Sequence, residues 1–282
     1  MIKKVILQRG KIAYIREGVV GKPKILMLHG LFTNSEYFRE TMELLKDDFD
    51  MIAPDFPGFG LSERLKNREH TLDSYSDLIK ELIDYLDFHP FYLIGTSLGG
   101  MVSLKFIYKY PLYVSKIFLQ ASPWNQKCIS LKLHEKAVAM ASLSKNAVKI
   151  AYELKKGINN SLLHNTLSLF NKHYLKIDNR NKVISYSFKT LDVQATSQIW
   201  NNLYFSHTDL SKEAKSISVP ALVIVGDHDE SVKPLSMRLL ARMIKGSKFV
   251  EIKNIEATHA LLLDFPERIA KIIKSFFLKK GI

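Results

Sequence analysis

Residues 91–107 admit very little choice of local structure. Phe91-Tyr92-Leu93-Ile94 is an apolar run of strand character, and Met101 to Ile107 reads as a helix. Only Gly95-Thr96-Ser97-Leu98-Gly99-Gly100 lies between them. A chain that passes from strand to helix in so few residues turns sharply, and the serine at the turn is held in a strained backbone conformation. Gly95 and Gly99 leave out the β-carbons that would collide on either side. The Ser97 hydroxyl is then exposed at a helix N-terminus, where the dipole favours developing negative charge. A bare Gly-x-Ser-x-Gly is a weak signal, so its meaning depends on what surrounds it.

The rest of the chain repeats the strand-then-helix pattern. Val5-Ile6-Leu7 and Ile12-Ala13-Tyr14-Ile15 flank a turn at Arg9-Gly10 and read as an antiparallel hairpin. Lys24 to Leu28 is a buried strand ending at His29-Gly30, and Thr33-Asn34-Ser35-Glu36 offers a capping box before a helix over 37–45. A short strand, Met51-Ile52-Ala53, runs into Pro54-Asp55-Phe56-Pro57-Gly58-Phe59-Gly60, and an amphipathic helix follows over 73–87. Beyond the turn at Ser97, Lys116 to Gln120 is another strand. Alternation resumes with a strand over 219–225, a helix over 235–244, a strand over 249–252 and a helix over 266–279. This order predicts an α/β fold, a mostly parallel central sheet flanked by helices. Residues 124–212 hold helical stretches but no convincing buried strand. They are expected to form an inserted helical cap on a core domain built from 1–123 and 213–282.

Composition limits the function classes. The 282 residues are 46% hydrophobic and 24% charged, ordinary values for a soluble globular domain. No apolar run approaches the roughly 18 to 20 residues that cross a bilayer, and the N-terminus lacks the apolar core of a signal peptide, so no stable membrane insertion is expected and residence is expected to be cytoplasmic. A single cysteine, Cys128, excludes an internal disulfide framework and lies outside any nucleophile turn. The net charge of +13 comes mainly from scattered lysines, without the clustered basic and aromatic residues of a nucleic-acid groove. No nucleic-acid partner is therefore expected. No set of residues has metal-ligand spacing, and neither a metal nor a cofactor is expected.

A serine nucleophile needs a base, an orienter for the base, and donors for an oxyanion. His259, in Ala257-Thr258-His259-Ala260, follows the final strand and is the candidate base. Asp229, in Gly226-Asp227-His228-Asp229, lies after the penultimate strand and is the candidate acid, with Asp227 the alternative. The order Ser97, Asp229, His259 is that of the α/β-hydrolase arrangement.

The sequence resembles the α/β-hydrolase superfamily over its whole length. His29-Gly30-Leu31-Phe32 is similar to that family's oxyanion loop, and Asp55 to Ser62 is similar to its Asp-x-Pro-Gly-x-Gly-x-Ser turn. Gly226 to Asp229, with Val232 and Pro234 following, resembles the loop carrying its acid, and His259 with Phe265-Pro266-Glu267 resembles the segment carrying its histidine. The resemblance implies a catalytic triad of Ser97, Asp229 and His259. It also implies an oxyanion hole from the backbone N–H groups of Leu98 and of Leu31, with Phe32 as the alternative to Leu31. His29, Asp55, Asp227 and His228 take structural roles in this reading. A serine at the elbow separates the chain from relatives with an aspartate nucleophile, the haloalkane dehalogenases and epoxide hydrolases.

The function implied is that of a serine esterase acting on a small-molecule acyl ester. The alternatives on the same fold are a thioesterase, a carbon–carbon bond hydrolase, a cofactor-free perhydrolase and a ligand-binding receptor with vestigial hydrolysis. The 124–212 insertion holds thirteen Lys and Arg against five Asp and Glu, which leaves either a solvated lysine surface or steering of anionic substrates.

Overall fold

A computed structural model of the chain describes residues 2–66, 69–130, 183, 186, 187, 189–204, 208–254 and 256–279. The insertion's basic residues between 132 and 182, and its apolar residues between 131 and 174 together with Phe205, lie outside these described residues.

Eight strands form one sheet: β1 (Ile2–Leu7), β2 (Gly10–Gly18), β3 (Lys24–Leu28), β4 (Asp50–Pro54), β5 (Phe91–Thr96), β6 (Val114–Gln120), β7 (Ala221–Gly226) and β8 (Lys248–Ile252). Their order is β1-β2-β4-β3-β5-β6-β7-β8. The hairpin β1–β2 and the β2–β4 pair are antiparallel, and every other neighbour pair is parallel. The six parallel strands all end at one edge, so the loops that follow them meet there. Strand order reverses around β3, which has β4 on one side and β5 on the other. The crevice beyond such a reversal is where ligands bind in open α/β sheets.

The described α-helices are α1 (Arg39–Leu45), α2 (Leu72–Tyr85), α3 (Leu98–Lys109), α4 (Val193–Tyr204), α5 (Ser211–Lys215), α6 (Pro234–Met243), α7 (Leu261–Asp264) and α8 (Pro266–Leu278). The period-2 alternation of the strands sends their side chains into two separate cores. Leu26, Leu28, Leu93, Ile117, Leu119, Val223 and Val225 pack with α2, α3 and α6. Ile25, Met27, Ile94, Phe118, Leu222 and Ile224 pack with α1, α7 and α8 on the opposite face. Both faces of the inner parallel strands are thus covered, which accounts for the apolar runs Ile25–Leu28, Leu93–Ile94, Ile117–Leu119 and Ala221–Val225.

Boundaries differ from the sequence reading where caps decide them. Asn34, not Thr33, is the first cap: its side chain accepts from Glu36 N, and a 3₁₀ turn over Ser35–Phe38 precedes α1. Thr71 and Ser74 form a capping box that starts α2 at Leu72. That helix ends at Tyr85, shortly before Asp87 enters the left-handed region at φ 48. The last helix begins at Pro266, and a separate short helix, α7, precedes it. Phe265 lies between them outside the helical region, as the residue before a proline prefers.

The packing of α3 on the sheet generates a prediction. A β-carbon on Gly99 would stand 2.0 Å from the Leu28 carbonyl oxygen, a backbone atom that no rotamer change moves. Gly246, at φ +72, has open space around it and carries only conformational strain. Gly99→Ala is expected to lower unfolding stability by on the order of 3 kcal/mol or more, against about 1 kcal/mol for Gly246→Ala. Urea denaturation of both variants checks this, and similar midpoint shifts for the two would contradict it.

Candidate active site

Ser97 follows β5 directly and caps α3 with φ 54 and ψ −116, in the left-handed half of the map. For a non-glycine residue this conformation costs about 1–3 kcal/mol. Close packing on both sides holds it. A β-carbon on Gly95 would lie 2.4 Å from Ser103 Oγ, and one on Gly100 would lie 1.7 Å from Ser122 Oγ. The Ser97 N–H donates to the Gln120 carbonyl at 3.0 Å, and the Ser97 carbonyl accepts from Gly100 and Met101 N–H at 2.9 and 3.2 Å. The side chain is left half-buried at the positive end of a 12-residue helix.

The loop after β3 comes against this turn: a β-carbon on Gly30 would be 3.3 Å from Ser97 Cβ. His29 is fully buried, and burial pushes its pKa down to about 4. Its Nε2 accepts from Phe56 N–H at 2.9 Å, so its Nδ1 carries the proton and donates to the Gly30 carbonyl at 2.8 Å. Thr33 Oγ1 donates to the same carbonyl at 2.9 Å. Because a peptide is planar and trans, fixing the Gly30 carbonyl aims the Leu31 N–H the opposite way. Among the described residues, neither the Leu31 nor the Leu98 N–H donates to another group. Phe32, next along, has φ 61.

Asp229 and His259 meet on the loops after β7 and β8. His259 Nδ1 lies 2.9 Å from Asp229 Oδ2 and 3.1 Å from Oδ1. Asp229 is enclosed, and its Oδ1 also accepts from Ser231 and Val232 N–H at 2.8 Å each. Two amides and an imidazole thus satisfy the buried carboxylate's hydrogen bonding. With Nδ1–H committed to Asp229, His259 Nε2 is the nitrogen left to accept a proton. Asp227 lies elsewhere. Its Oδ1 accepts from His228 Nδ1 at 2.9 Å and from Asn254 N–H at 3.1 Å, so it ties the β7 and β8 loops together.

Asp55 holds its turn as expected for a structural residue: Oδ1 accepts from Ser35 N–H and Oδ2 from Leu61 N–H, both at 2.8 Å. Cys128 is buried and donates to Asn125 Oδ1 at 3.3 Å. No group of three or more His, Cys, Asp or Glu among the described residues is placed to hold a metal ion.

Two features escaped the sequence reading. Gln120, fully buried at the end of β6, receives the Ser97 N–H on its carbonyl and donates its side-chain amide to the His259 carbonyl at 2.9 Å. Tyr37 OH donates to Gln120 Oε1 at 3.3 Å. One residue therefore fixes the backbone on both sides of the crevice. Behind His259, Asp264 Oδ2 accepts from both Thr258 N–H and Thr258 Oγ1, at 3.2 and 2.7 Å, and clamps the loop. The sequence offers for Gln120 only an amide at the end of the Ile117–Leu119 apolar run, as many strands end.

The described part of the insertion lies against the same edge. Ser187 Oγ accepts from Asn34 Nδ2 at 3.1 Å, Asp192 N–H donates to the Gly58 carbonyl at 2.9 Å, and Asn202 donates to the His70 carbonyl at 2.9 Å.

The family model of the alpha/beta hydrolase fold matches residues 23–266. An uncharacterized hydrolase of Saccharomyces cerevisiae is 36% identical over 118 residues, which is 42% of this chain and 41% of that protein's length. Haloalkane dehalogenase 2 of Mycobacterium tuberculosis is 24% identical over 272 residues, covering 94% of this chain and 91% of that one. Among solved structures, carboxylesterase CesB of Bacillus subtilis has the same fold, with a TM-score of 0.77 at 20% identity, covering 100% of this chain and 92% of that one. The family match begins at the residue before β3 and runs to the first residue of α8, through every parallel strand and every loop of the crevice. The chain belongs to the α/β-hydrolase fold family.

Proposed function

We propose that the chain is a serine hydrolase that cleaves carboxylic esters through an acyl-enzyme intermediate. The observation that carries this reading is the hydrogen-bonded Asp229–His259 pair, whose backbone is joined through Gln120 to the strained turn bearing Ser97. In this mechanism His259 Nε2 takes the Ser97 proton as Oγ attacks the ester carbonyl carbon. The carbonyl oxygen becomes an oxyanion that accepts from the Leu31 and Leu98 N–H groups. The tetrahedral intermediate collapses, the carbon–oxygen bond to the alcohol breaks, and His259 returns its proton to the departing alkoxide. Water, deprotonated by His259, then attacks the acyl-Ser97 carbonyl. Collapse of the second tetrahedral intermediate releases the carboxylic acid and restores the Ser97 hydroxyl. Asp229 holds the imidazole and stabilises its charged form. No step calls for a metal or a cofactor.

The serine at the elbow supports ester chemistry over that of the dehalogenase relative, since a serine oxygen displacing halide from an alkyl carbon would leave an ether that water does not cleave, whereas attack on an acyl carbon leaves a hydrolysable ester. Residues 124–212 act as a cap over the core domain of 1–123 and 213–282. The contacts of Ser187, Asp192 and Asn202 with the edge loops support that division. Substrates are small acyl compounds. A panel of p-nitrophenyl esters graded by acyl length, run beside an acyl-CoA thioester, separates an esterase from a thioesterase.

Three outcomes follow from these assignments. Ser97→Ala is expected to lower kcat by on the order of 10⁴ to 10⁶ and to abolish fluorophosphonate labelling, with the circular dichroism spectrum unchanged. Labelling that persisted at another serine would move the nucleophile elsewhere. Asp229→Asn is expected to cost roughly 10⁴ in kcat, and Asp227→Asn far less, since only Asp229 touches the imidazole. The reverse order in steady-state kinetics would assign the acid to Asp227. Gln120→Met keeps the side chain's bulk but loses the bond to the His259 carbonyl. It is expected to lower kcat by about 10²-fold, the loss typical of a small misplacement, while KM changes little. Equal changes in both constants, or an unchanged kcat, would make Gln120 a packing residue only.

A further inference from the structure

The far end of the sheet carries a second recess that the catalytic reading does not use. It lies where β6, β7 and β8 begin, and it is bounded by the last turns of α8 and the Lys245-Gly246 loop, with a volume of about 760 Å³. Pockets for small ligands commonly span about 300–1,000 Å³. Its floor is apolar. Val219, Val250, Ile272 and Phe276 are each only partly covered by the two cores. Such surface gains about 25 cal/mol for every Å² that a ligand removes from water.

The rim has a single sign of charge. Lys245, Lys248, Lys271 and Lys279 are exposed around it, and no Asp or Glu is among the lining residues. None of the four has a carboxylate partner among the described residues. A fifth lysine, Lys116, is occupied structurally: its ammonium donates to the carbonyls of Phe276, Phe277 and Lys279 at 3.2, 2.9 and 2.9 Å, closing the C-terminal end of α8. Its charge still adds to the field in the recess. Like charges gathered beside a low-dielectric surface raise the local concentration of anions.

We propose that this recess binds a free single-chain amphipathic carboxylate, with its hydrocarbon on the Val219–Val250–Ile272–Phe276 floor and its head among the rim lysines. A hydrophobic floor alone would favour neutral chains, and a lysine rim alone would favour small anions. The combination selects a molecule that is both. Concavity favours a single chain over a flat membrane surface. The site is separate from Ser97, because β7 runs the six residues Ala221–Gly226 from the recess to the Asp229 loop, about 20 Å at roughly 3.3 Å per residue. The proposal does not rest on ester hydrolysis.

The test is a titration of the ¹⁵N-labelled full chain, following backbone amides by NMR with octanoate, octan-1-ol and acetate as probes. Octanoate is expected to shift the amides of Val219, Gly246 and Val250 saturably, with octan-1-ol at least about tenfold weaker and acetate without effect. The double variant Lys248→Glu/Lys271→Glu is expected to weaken octanoate by about tenfold or more, and added salt to weaken it in the wild type. Shifts confined to Leu98 and His259, equal affinity for the alcohol, or an unchanged affinity in the double variant would each overturn the proposal. Sedimentation with phosphatidylglycerol vesicles separates the other source of a lipid anion. Vesicle binding that depends on these lysines, with no response to octanoate, would assign the face to a membrane surface and overturn the proposal as well.

Discussion

The turn at Ser97 exists because α3 can lie against β3 with no side chain between them. Gly99 faces the Leu28 carbonyl at a distance where even a methyl group would overlap it, and Gly95 and Gly100 make equally close approaches to Ser103 and Ser122. That contact fixes how steeply the chain leaves β5, which in turn forces the φ of 54 at Ser97. The strain is opposed locally. The Ser97 amide and carbonyl are both hydrogen-bonded, and Leu98, Met101, Val102 and Leu104 of the same helix are buried. Helix, strand and strained residue form one mechanical unit, so a change in any of the three glycines reaches the serine.

The other loops at this edge are held by buried polar groups. Asp55 joins the loop after β4 to the start of the Ser35 turn, and burial pushes its carboxyl upward while the Leu61 and Ser35 amides oppose that shift. His29 joins the loop after β3 to Phe56, and Gln120 joins the turn at Ser97 to the His259 loop. Leaving such a group unpaired costs about 1–3 kcal/mol, whereas a fully paired one rigidifies its surroundings. With Tyr37 OH donating to Gln120, these bonds cross-link four loops, those after β3, β4, β5 and β8, into one frame. The crevice gets its precision from these cross-links more than from the elements that end there.

Much of this was legible in the sequence, and the reasons differ from place to place. The apolar runs of β3, β5, β6 and β7 declared buried parallel strands because both faces of those strands are covered. Gly95, Ser97 and Gly99 declared the turn because backbone sterics there tolerate so few residue types. The preference for Asp229 over Asp227 came from the likeness of Gly226–Asp229 to the family's acid loop, and the structure places Asp229 against His259. Gln120 was not legible. Its role depends on a side chain crossing to a segment 139 residues away, and nothing local distinguishes it from any amide ending a strand. The cap falls at Asn34 rather than Thr33 because adjacent polar residues compete for the same amides, and Asn34, extended at φ −152, is the one that accepts from Glu36 N–H. The clamp from Thr258 to Asp264 was hidden for a similar reason, since both residues belong to a stretch that reads first as the start of a helix.

Two histidines close to one crevice show how environment divides chemical labour. His29 has both ring nitrogens committed, one to a backbone amide and one to a carbonyl, and burial holds it neutral down to about pH 4. Protonating it would place a donor against the Phe56 N–H, so it has neither a free lone pair nor an accessible charged form. It serves as a rigid strut that sets the Gly30–Leu31 peptide. His259 has one nitrogen committed to the Asp229 carboxylate, and it retains some exposure to the crevice. The same side chain is a strut in one position and, in the proposed mechanism, the proton carrier in the other. In the proposed mechanism the capacity for chemistry at this edge is therefore a property of the hydrogen-bond frame, which ties the Ser97 turn to the His259 loop through Gln120.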